Sequence, residues 1–153
     1  MTTVLQQPSD FASYIGKQIG TSEWVTLDQQ KIDAFAVLTG DDHWIHVDLE
    51  RAQNEMPDGK TLVHGFLTLS LIPYLQRTVF SVTNRGKGLN YGCNRIRFTS
   101  PLQVGSRVRL HQTVKACEVL PNGARMTFDC TIEVEGKEKP ALVAETLVQI
   151  FDK

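Results

Sequence analysis

The sequence has little net charge, few cysteines and no long uninterrupted apolar run, and each shortage excludes a class of protein. The formal net charge is −1 over 153 residues, so there is no overall basic field to attract nucleic acid or an anionic membrane. The longest apolar stretch, around Phe66–Leu75, is interrupted by polar residues and Pro73 and is too short to span a bilayer. The first twenty residues lack a cationic leader and an apolar segment of signal-peptide length. We therefore expect a cytoplasmic protein.

The three cysteines, Cys93, Cys117 and Cys130, are widely spaced and odd in number, and none belongs to a C-x-x-C pair. This pattern favours free thiols in a reducing compartment over a disulfide framework or a zinc site. The sequence also lacks repeats, low-complexity tracts and long linkers. Its length suits a single hydrophobic core. We expect one domain spanning residues 1–153.

The first half of the chain has helical patterns. Thr26 and Gln29 have the spacing of a capping box, with Thr26 as the N-cap of a helix that ends at Gly40. The segment 61–76 is apolar on nearly every face, which predicts a helix buried all round. Pro73 within it is expected to kink the helix or end its regular part.

The second half has the alternation of β-strands. A strand is predicted to begin at Ile96 after a breaker-rich approach over 86–92, and Asn122–Gly123 is a hairpin signal. One buried sheet face is predicted from five alternating apolar residues: Met126, Phe128, Cys130, Ile132 and Val134. An antiparallel sheet curled round one buried helix accounts for these patterns, which is an α+β architecture.

The densest cluster of chemically active side chains is the segment Asp41–His46, just past the predicted helix end. A carboxylate beside an imidazole can orient the ring and raise its basicity, so that a water between Asp41 and His46 is activated. Two alternatives stay open. The segment can be a solvated loop whose carboxylates only cap the next helix, or a metal site, although no separate acidic or cysteine set completes one.

Two further clusters offer binding groups. His64–Gly65 stands where the first turn of the buried helix is expected, and unpaired N–H groups there can bind an oxyanion. Gly65 can equally be a packing glycine. Asn94, Arg95 and Arg97 lie at the start of the predicted sheet, and both arginines share one face. They can meet substrate phosphates or simply form a solvated strand face.

These clusters together resemble the MaoC-like, (R)-specific enoyl-CoA hydratases. The similarity includes the segment from Phe35 to Asp48 and His64–Ser70, and it extends over most of the chain from about Thr26. The Trp-Ile-His-Val-Asp form at 44–48, with Asn90–Phe98, is most similar to the branch named for the nodulation protein NodN. The commoner motif has Asn-Pro where this chain has His43–Trp44. Without the fixed φ of proline, the segment must be held by packing of the Trp44 ring.

The resemblance implies a hot-dog fold, in which an antiparallel sheet wraps a long central α-helix. It also implies a homodimer whose sheets join, with an apolar substrate tunnel at the interface. By motif position the catalytic residues are Asp41 and His46, and the oxyanion donor is the backbone N–H of Gly65. Four further side chains are candidates for substrate binding: His43, Trp44, His64 and Asn94.

The activity implied is addition of water across the C2–C3 double bond of a trans-2-enoyl thioester, giving an (R)-3-hydroxyacyl thioester. The substrate is a thioester of CoA or of an acyl-carrier protein, and the chemistry is proton transfer that needs no redox cofactor and no metal. Two alternatives remain: a hot-dog acyl-CoA thioesterase, and a non-catalytic acyl-thioester-binding module.

Overall fold

The computed structural model describes all residues 1–153. It contains eight strands, five short α-helices and a 3₁₀ helix at Pro8–Tyr14. The strands are β1 (Thr3–Leu5), β2 (Gln18–Thr21), β3 (Val25–Thr26), β4 (Phe80–Val82), β5 (Gly88–Phe98), β6 (Arg107–Leu120), β7 (Gly123–Val134) and β8 (Leu142–Phe151). The helices are α1 (Gln29–Thr39), α2 (Trp44–Val47), α3 (Leu49–Glu55), α4 (Gly65–Ser70) and α5 (Ile72–Gln76).

One antiparallel sheet has the strand order β2-β6-β7-β8-β5, with β3 pairing β6 beside β2. The predicted alternation on β7 is confirmed, because its five apolar residues are all at most 2% exposed. The predicted hairpin is confirmed as well and joins β6 to β7, but its two turn residues are Pro121 and Asn122, because Gly123 already belongs to β7 and pairs with Leu120. Helices α4 and α5 supply Leu67, Ile72 and Leu75 to the same core. The α+β class is therefore confirmed.

Strand β5 differs from its prediction. It begins at Gly88, not near Ile96, so most of the supposed approach segment is strand. Two register shifts against β8, at Asn90/Gly92 and Cys93/Arg95, absorb extra residues, and such bulges hide the period of two from a sequence pattern. Only one edge of β5 is paired, and nearly all of its side chains are exposed.

The N-terminal boundary predicted for α1 is wrong by two residues. Asp28 is the N-cap, and its carboxylate accepts from the backbone N–H of Lys31 at 3.0 Å. Thr26 instead belongs to β3, paired with Arg107. The predicted end is confirmed, because Gly40 has a left-handed backbone with φ of 79°. A glycine adopts this conformation without the steric cost of a Cβ.

The apolar segment 61–76 forms two short helices, not one long helix. Helix α4 begins at Gly65, and the chain turns at Leu71 before α5. Pro73 lies in the first turn of α5, where its missing N–H costs no helical hydrogen bond. The expected burial on every side is also wrong, since Phe66 is 63% exposed and Tyr74 is 54% exposed. The first half also contains strands β1 to β3, and β4 follows just after it; the helical patterns predicted none of these strands.

No helix of the protein combines the length and the apolar character needed to cross a membrane.

The three cysteines are free thiols in strands β5, β6 and β7, as predicted, with Cys130 buried and Cys93 exposed.

Candidate active site

The imidazole of His46 is held on α2 by its backbone and by one ring nitrogen. Its Nδ1 lies 2.7 Å from the carbonyl oxygen of Leu62. A carbonyl oxygen only accepts hydrogen bonds, so Nδ1 carries the hydrogen and Nε2 keeps its lone pair. The backbone oxygen of His46 accepts from the side chain of Gln29 at 2.8 Å, and Gln29 in turn accepts from Thr61 at 2.6 Å. The orientation of His46 is therefore fixed from two sides.

The environment of His46 favours its neutral form. Partial burial is the main cause that lowers the pKa of the imidazole below its ordinary value of 6.5. The hydrogen bond to Leu62 acts in the opposite direction and raises the pKa of His46, whereas the nearby ring of His64 lowers it further. A neutral imidazole keeps the Nε2 lone pair that a general base requires.

Asp41 lies one residue beyond the Gly40 cap, in the turn that leads from α1 to α2. A carboxylate oxygen of Asp41, a ring nitrogen of His46 and a ring nitrogen of His64 all lie within 4.8 Å of one another. A water that donates a hydrogen bond of about 2.8 Å to each of two acceptors holds them about 4.5 Å apart. The 4.8 Å limit on the separation of Asp41 and His46 leaves room for one bridging water.

The third member of the cluster is His64, the N-cap residue of α4. Its ring stacks on His46 with centroids 3.8 Å apart and planes inclined by 22°. Its Nε2 lies 2.8 Å from the backbone oxygen of Asp41. The sequence separates these residues by about twenty positions, so no local motif signals the contact. The only local signal for His64 is its position before Gly65.

A metal ion is the alternative use of such a cluster. The sequence shows no separate acidic or cysteine set that would complete a metal site, but the fold brings a third possible ligand, His64, to Asp41 and His46. The stacked geometry nevertheless disfavours an ion. An imidazole lone pair lies in the plane of its ring, and two nearly parallel rings 3.8 Å apart do not direct their lone pairs to one point.

His43 has a structural role in this conformation. It is the N-cap of α2, and its Nδ1 accepts from the backbone N–H of Ile45 at 3.5 Å. Its ring centroid lies 6.5 Å from that of His46. Trp44 is half-buried, and the guanidinium of Arg51 lies 4.2 Å from its ring centroid. The Trp44 ring thus contacts an arginine of α3, and its role in holding the segment that lacks proline stays a prediction.

Asn94 lies away from this cluster. Its side-chain amide donates to Glu145 at 2.6 Å, and the same glutamate pairs with Lys115. Arg95 borders the same surface patch. Within one chain these groups are occupied with one another, so substrate binding by Asn94 stays a prediction. The assignment of Arg95 and Arg97 to substrate phosphates also stays a prediction.

Gly65 has a packing constraint that the sequence left open. A Cβ added at this position would lie 2.9 Å from Cδ1 of Phe98, closer than side-chain carbons approach one another. This close contact with Phe98 is enough to explain a glycine at position 65, whether or not a ligand binds there. It does not oppose binding of an oxyanion by the backbone N–H, because that donor belongs to every residue except proline.

Space for an acyl chain lies beside the central helices. A cavity of about 350 Å³ separates α4 and α5 from β5 and β8, and its apolar lining includes Leu69, Ile72, Pro73 and Val148. A more open apolar groove of about 710 Å³ is lined by Leu67 together with Phe35 and Tyr74. Phe35 also contacts His64, with ring centroids 4.9 Å apart, so this groove adjoins the histidine cluster.

The architecture of one antiparallel sheet against central helices is a hot-dog fold. Among solved structures, the R-hydratase of Pseudomonas aeruginosa superposes with a TM-score of 0.74, covering 97% of this chain and 89% of that chain at 20% identity. A monoamine oxidase regulatory protein from Archaeoglobus superposes with a TM-score of 0.77 at 20% identity, covering 100% of this chain and 98% of that chain. At these identities the two likenesses show the fold alone.

Sequence comparison identifies the family. The MaoC-like domain matches residues 10–135. The chain is 46% identical over 142 residues to the 3-hydroxyacyl-thioester dehydratase Z of Mycobacterium tuberculosis, covering 92% of this chain and 93% of that protein. It is 44% identical over 150 residues to the nodulation protein N of Rhizobium leguminosarum, covering 94% and 91%. The chain belongs to the MaoC-like domain family, as the motifs at 35–48 and 64–70 indicated.

Proposed function

We propose that the protein is a hydro-lyase that hydrates trans-2-enoyl thioesters and, in reverse, dehydrates 3-hydroxyacyl thioesters. The observation that carries this proposal is the convergence of Asp41 and His46 to within 4.8 Å, which leaves room for one water held between two acceptors. Membership of the MaoC-like family and the relative named as a 3-hydroxyacyl-thioester dehydratase support the same reaction class. Asp41 and His46 are the proposed acid–base pair.

The tautomer of His46 determines how the water is aimed. With hydrogen on Nδ1, His46 presents an acceptor at Nε2, and the Asp41 carboxylate is a second acceptor. A water that donates both of its hydrogens to these two groups directs its lone pairs away from them. The electrophilic C3 of the substrate is expected at that position.

The reaction then needs no group beyond the chain and the substrate. The thioester carbonyl accepts from the backbone N–H of Gly65, which makes C3 electrophilic. The water oxygen bonds to C3 while the pair takes one of its protons, and the same pair returns a proton to C2. Because water is added and the proton returned by one pair on one face, the addition is expected to be syn. The configuration at C3 depends on which face of the enoyl group meets the water, and the (R)-3-hydroxyacyl thioester is the product that the family resemblance implies. We expect neither a redox cofactor nor a metal ion.

The test is a comparison of two thioesters. With crotonyl-CoA, and with a longer enoyl-CoA, we expect loss of the conjugated enoyl absorbance without release of free thiol. With saturated butyryl-CoA we expect no reaction. Thiol release from the saturated substrate would identify a thioesterase. Saturable binding of both substrates without turnover would identify a binding module. The acyl carrier is tested by repeating the assay with the matched acyl-carrier-protein thioester.

We also propose that two copies associate through β5. The strand has one unpaired edge, and exposed apolar side chains lie on it and on the adjoining helices, among them Leu89, Phe98, Phe66 and Tyr74. An exposed edge of this length would otherwise invite uncontrolled pairing. A second copy would extend the sheet and cover these side chains. Sedimentation equilibrium should give twice the 17.2 kDa chain mass, and a monomer at micromolar concentration would contradict the proposal.

A further inference from the structure

His64 is the residue of the cluster to which the proposed reaction gives no role, although it is the most deeply buried of the three. Its exposed fraction is 2%, compared with a half-buried His46 and an exposed Asp41. It is the N-cap residue of α4, yet its side chain makes no capping hydrogen bond. The imidazole of His64 instead contacts the backbone oxygen of Asp41 and the ring of His46.

The hydrogen bond to Asp41 fixes the tautomer of His64. The backbone oxygen of Asp41 only accepts, so the Nε2 of His64 carries the hydrogen and donates at 2.8 Å. Nδ1 then holds a lone pair that is buried without a partner. A phenylalanine or leucine would fill the same space beside Phe35 without an unpaired acceptor. Packing alone therefore does not explain a histidine here.

Asp41 has few other restraints. It follows the left-handed Gly40, and its own N–H donates only to the hydroxyl of Thr39, at 3.3 Å. The bond from His64 is the shorter of the two and connects the Asp41 turn to the start of α4. The stacked ring of His46 lies on the same imidazole. One side chain thus contacts both members of the proposed acid–base pair and precedes Gly65 in the chain.

We propose that His64 is a positioning residue that fixes the separation of Asp41 and His46 by donating Nε2–H to the Asp41 carbonyl while its ring stacks on His46. This inference depends on the proposed function, because it assigns His64 a part in the same reaction. It differs from substrate binding, the role suggested by the motif, since the donor nitrogen of His64 is used within the protein.

A matched pair of substitutions separates the two contacts. His64→Gln keeps an N–H donor at about the reach of Nε2 but has no ring. His64→Phe keeps a stacked ring of similar size but has no donor. A misplacement of about 1 Å at a catalytic group can cost about 100-fold in rate. We expect H64F to lose about that factor in kcat with little change in KM, and H64Q to recover to within about tenfold of the wild-type enzyme.

The pH profile gives an independent readout. His64 adds to the lowering of the His46 pKa, so removing its imidazole should raise that pKa. The acid limb of kcat/KM should therefore move to higher pH in both variants. Equal kcat loss in H64Q and H64F, or near-native kcat in both, would overturn the proposal. So would disappearance of the limb, which would make His64 the titrating catalytic group.

Imidazole ¹⁵N NMR of the unsubstituted protein tests the geometry even where a variant fails to fold. We expect His64 protonated on Nε2 and His46 protonated on Nδ1 at neutral pH. A His64 protonated on Nδ1 would overturn the proposal. This measurement needs no substrate, so its outcome is separate from that of the hydration assay. If the tautomers are as expected but crotonyl-CoA is not hydrated, the result contradicts the proposed function and leaves the contacts assigned to His64 intact.

Discussion

The side-chain amide of Gln29, in the first turn of α1, donates to the backbone oxygen of His46 at 2.8 Å, seventeen residues further along the chain. The same amide donates to Asp33, and its oxygen accepts from Thr61 just before the central helices. Gln29 therefore connects α1, α2 and the segment that leads to α4. The short helix that presents His46 is tied to the fold by this residue.

Gln29→Ala should impair catalysis more than substrate binding. Loss of the amide frees the backbone of His46, and a displaced base lowers kcat by about 10- to 100-fold with KM nearly unchanged. Asp33→Ala is the matched control, because it removes another partner of Gln29 and leaves the bond to His46 intact. Steady-state kinetics with crotonyl-CoA compare the two, and equal effects would show that the His46 contact has no special part.

Loss of either member of the acid–base pair should lower kcat by about 10²- to 10⁴-fold. The variants are Asp41→Asn and His46→Gln, which keep size and polarity. Since both groups act on one water, the double variant should be little slower than either single variant. Near-native hydration by both single variants would contradict the assignment of their roles.

The pH dependence should reflect the lowered pKa of His46. The base acts in its neutral form, so activity falls only when the pH drops through a pKa that lies below the ordinary 6.5. We expect kcat/KM to be retained at pH 6.5 and to decline at lower pH. His111→Gln is the control, because His111 pairs with Glu133 at another site. An acid limb that disappears in H111Q would refute the assignment to His46.

Gly65→Ala should destabilise the protein through Phe98. The added Cβ would lie 2.9 Å from the ring, and overpacking of this kind costs about 1–3 kcal/mol. Phe98→Ala in the same chain should restore part of the loss by removing the ring. Gly92→Ala is the control, since a Cβ there meets no heavy atom within 4 Å. Urea denaturation measures all three, and an undiminished stability of G65A would contradict the packing constraint.

Gln112→Met should leave the stability unchanged or raise it. Gln112 is fully buried, and its amide donates to Gln76 and Cys130 while its oxygen has no partner. An unpaired buried acceptor costs about 1–3 kcal/mol, which methionine would remove while filling similar space. Leu110→Ala, beside it on β6, should instead lose about 2–5 kcal/mol. Thermal unfolding compares them, and a large loss of stability in Q112M would show that the two donated bonds dominate.

The comparison of sequence and structure separates strong local patterns from weak ones. The period of two on β7 was predicted because no bulge interrupts β7 against β8. The hairpin before it was predicted from the Asn-Gly signal, although the turn itself lies one residue earlier, at Pro121–Asn122. Strand β5 was placed too late because its two bulges break that period. The N-cap was assigned to Thr26 because capping-box spacing ignores sheet pairing, and in the structure that residue pairs with Arg107 on β6.

The fold class, the family and the two residues of the proposed acid–base pair could be predicted from the amino-acid sequence, since all three depend on patterns within short segments. The folded structure was needed to find that His64 stacks on His46 and donates to the carbonyl of Asp41. It also decided the tautomer of His46, through the carbonyl of Leu62. These contacts join residues far apart in the chain, and their geometry depends on where the turn after Gly40 meets the start of α4. Local secondary-structure propensity carries no information about the relative position of these two segments, because packing of the whole core determines it.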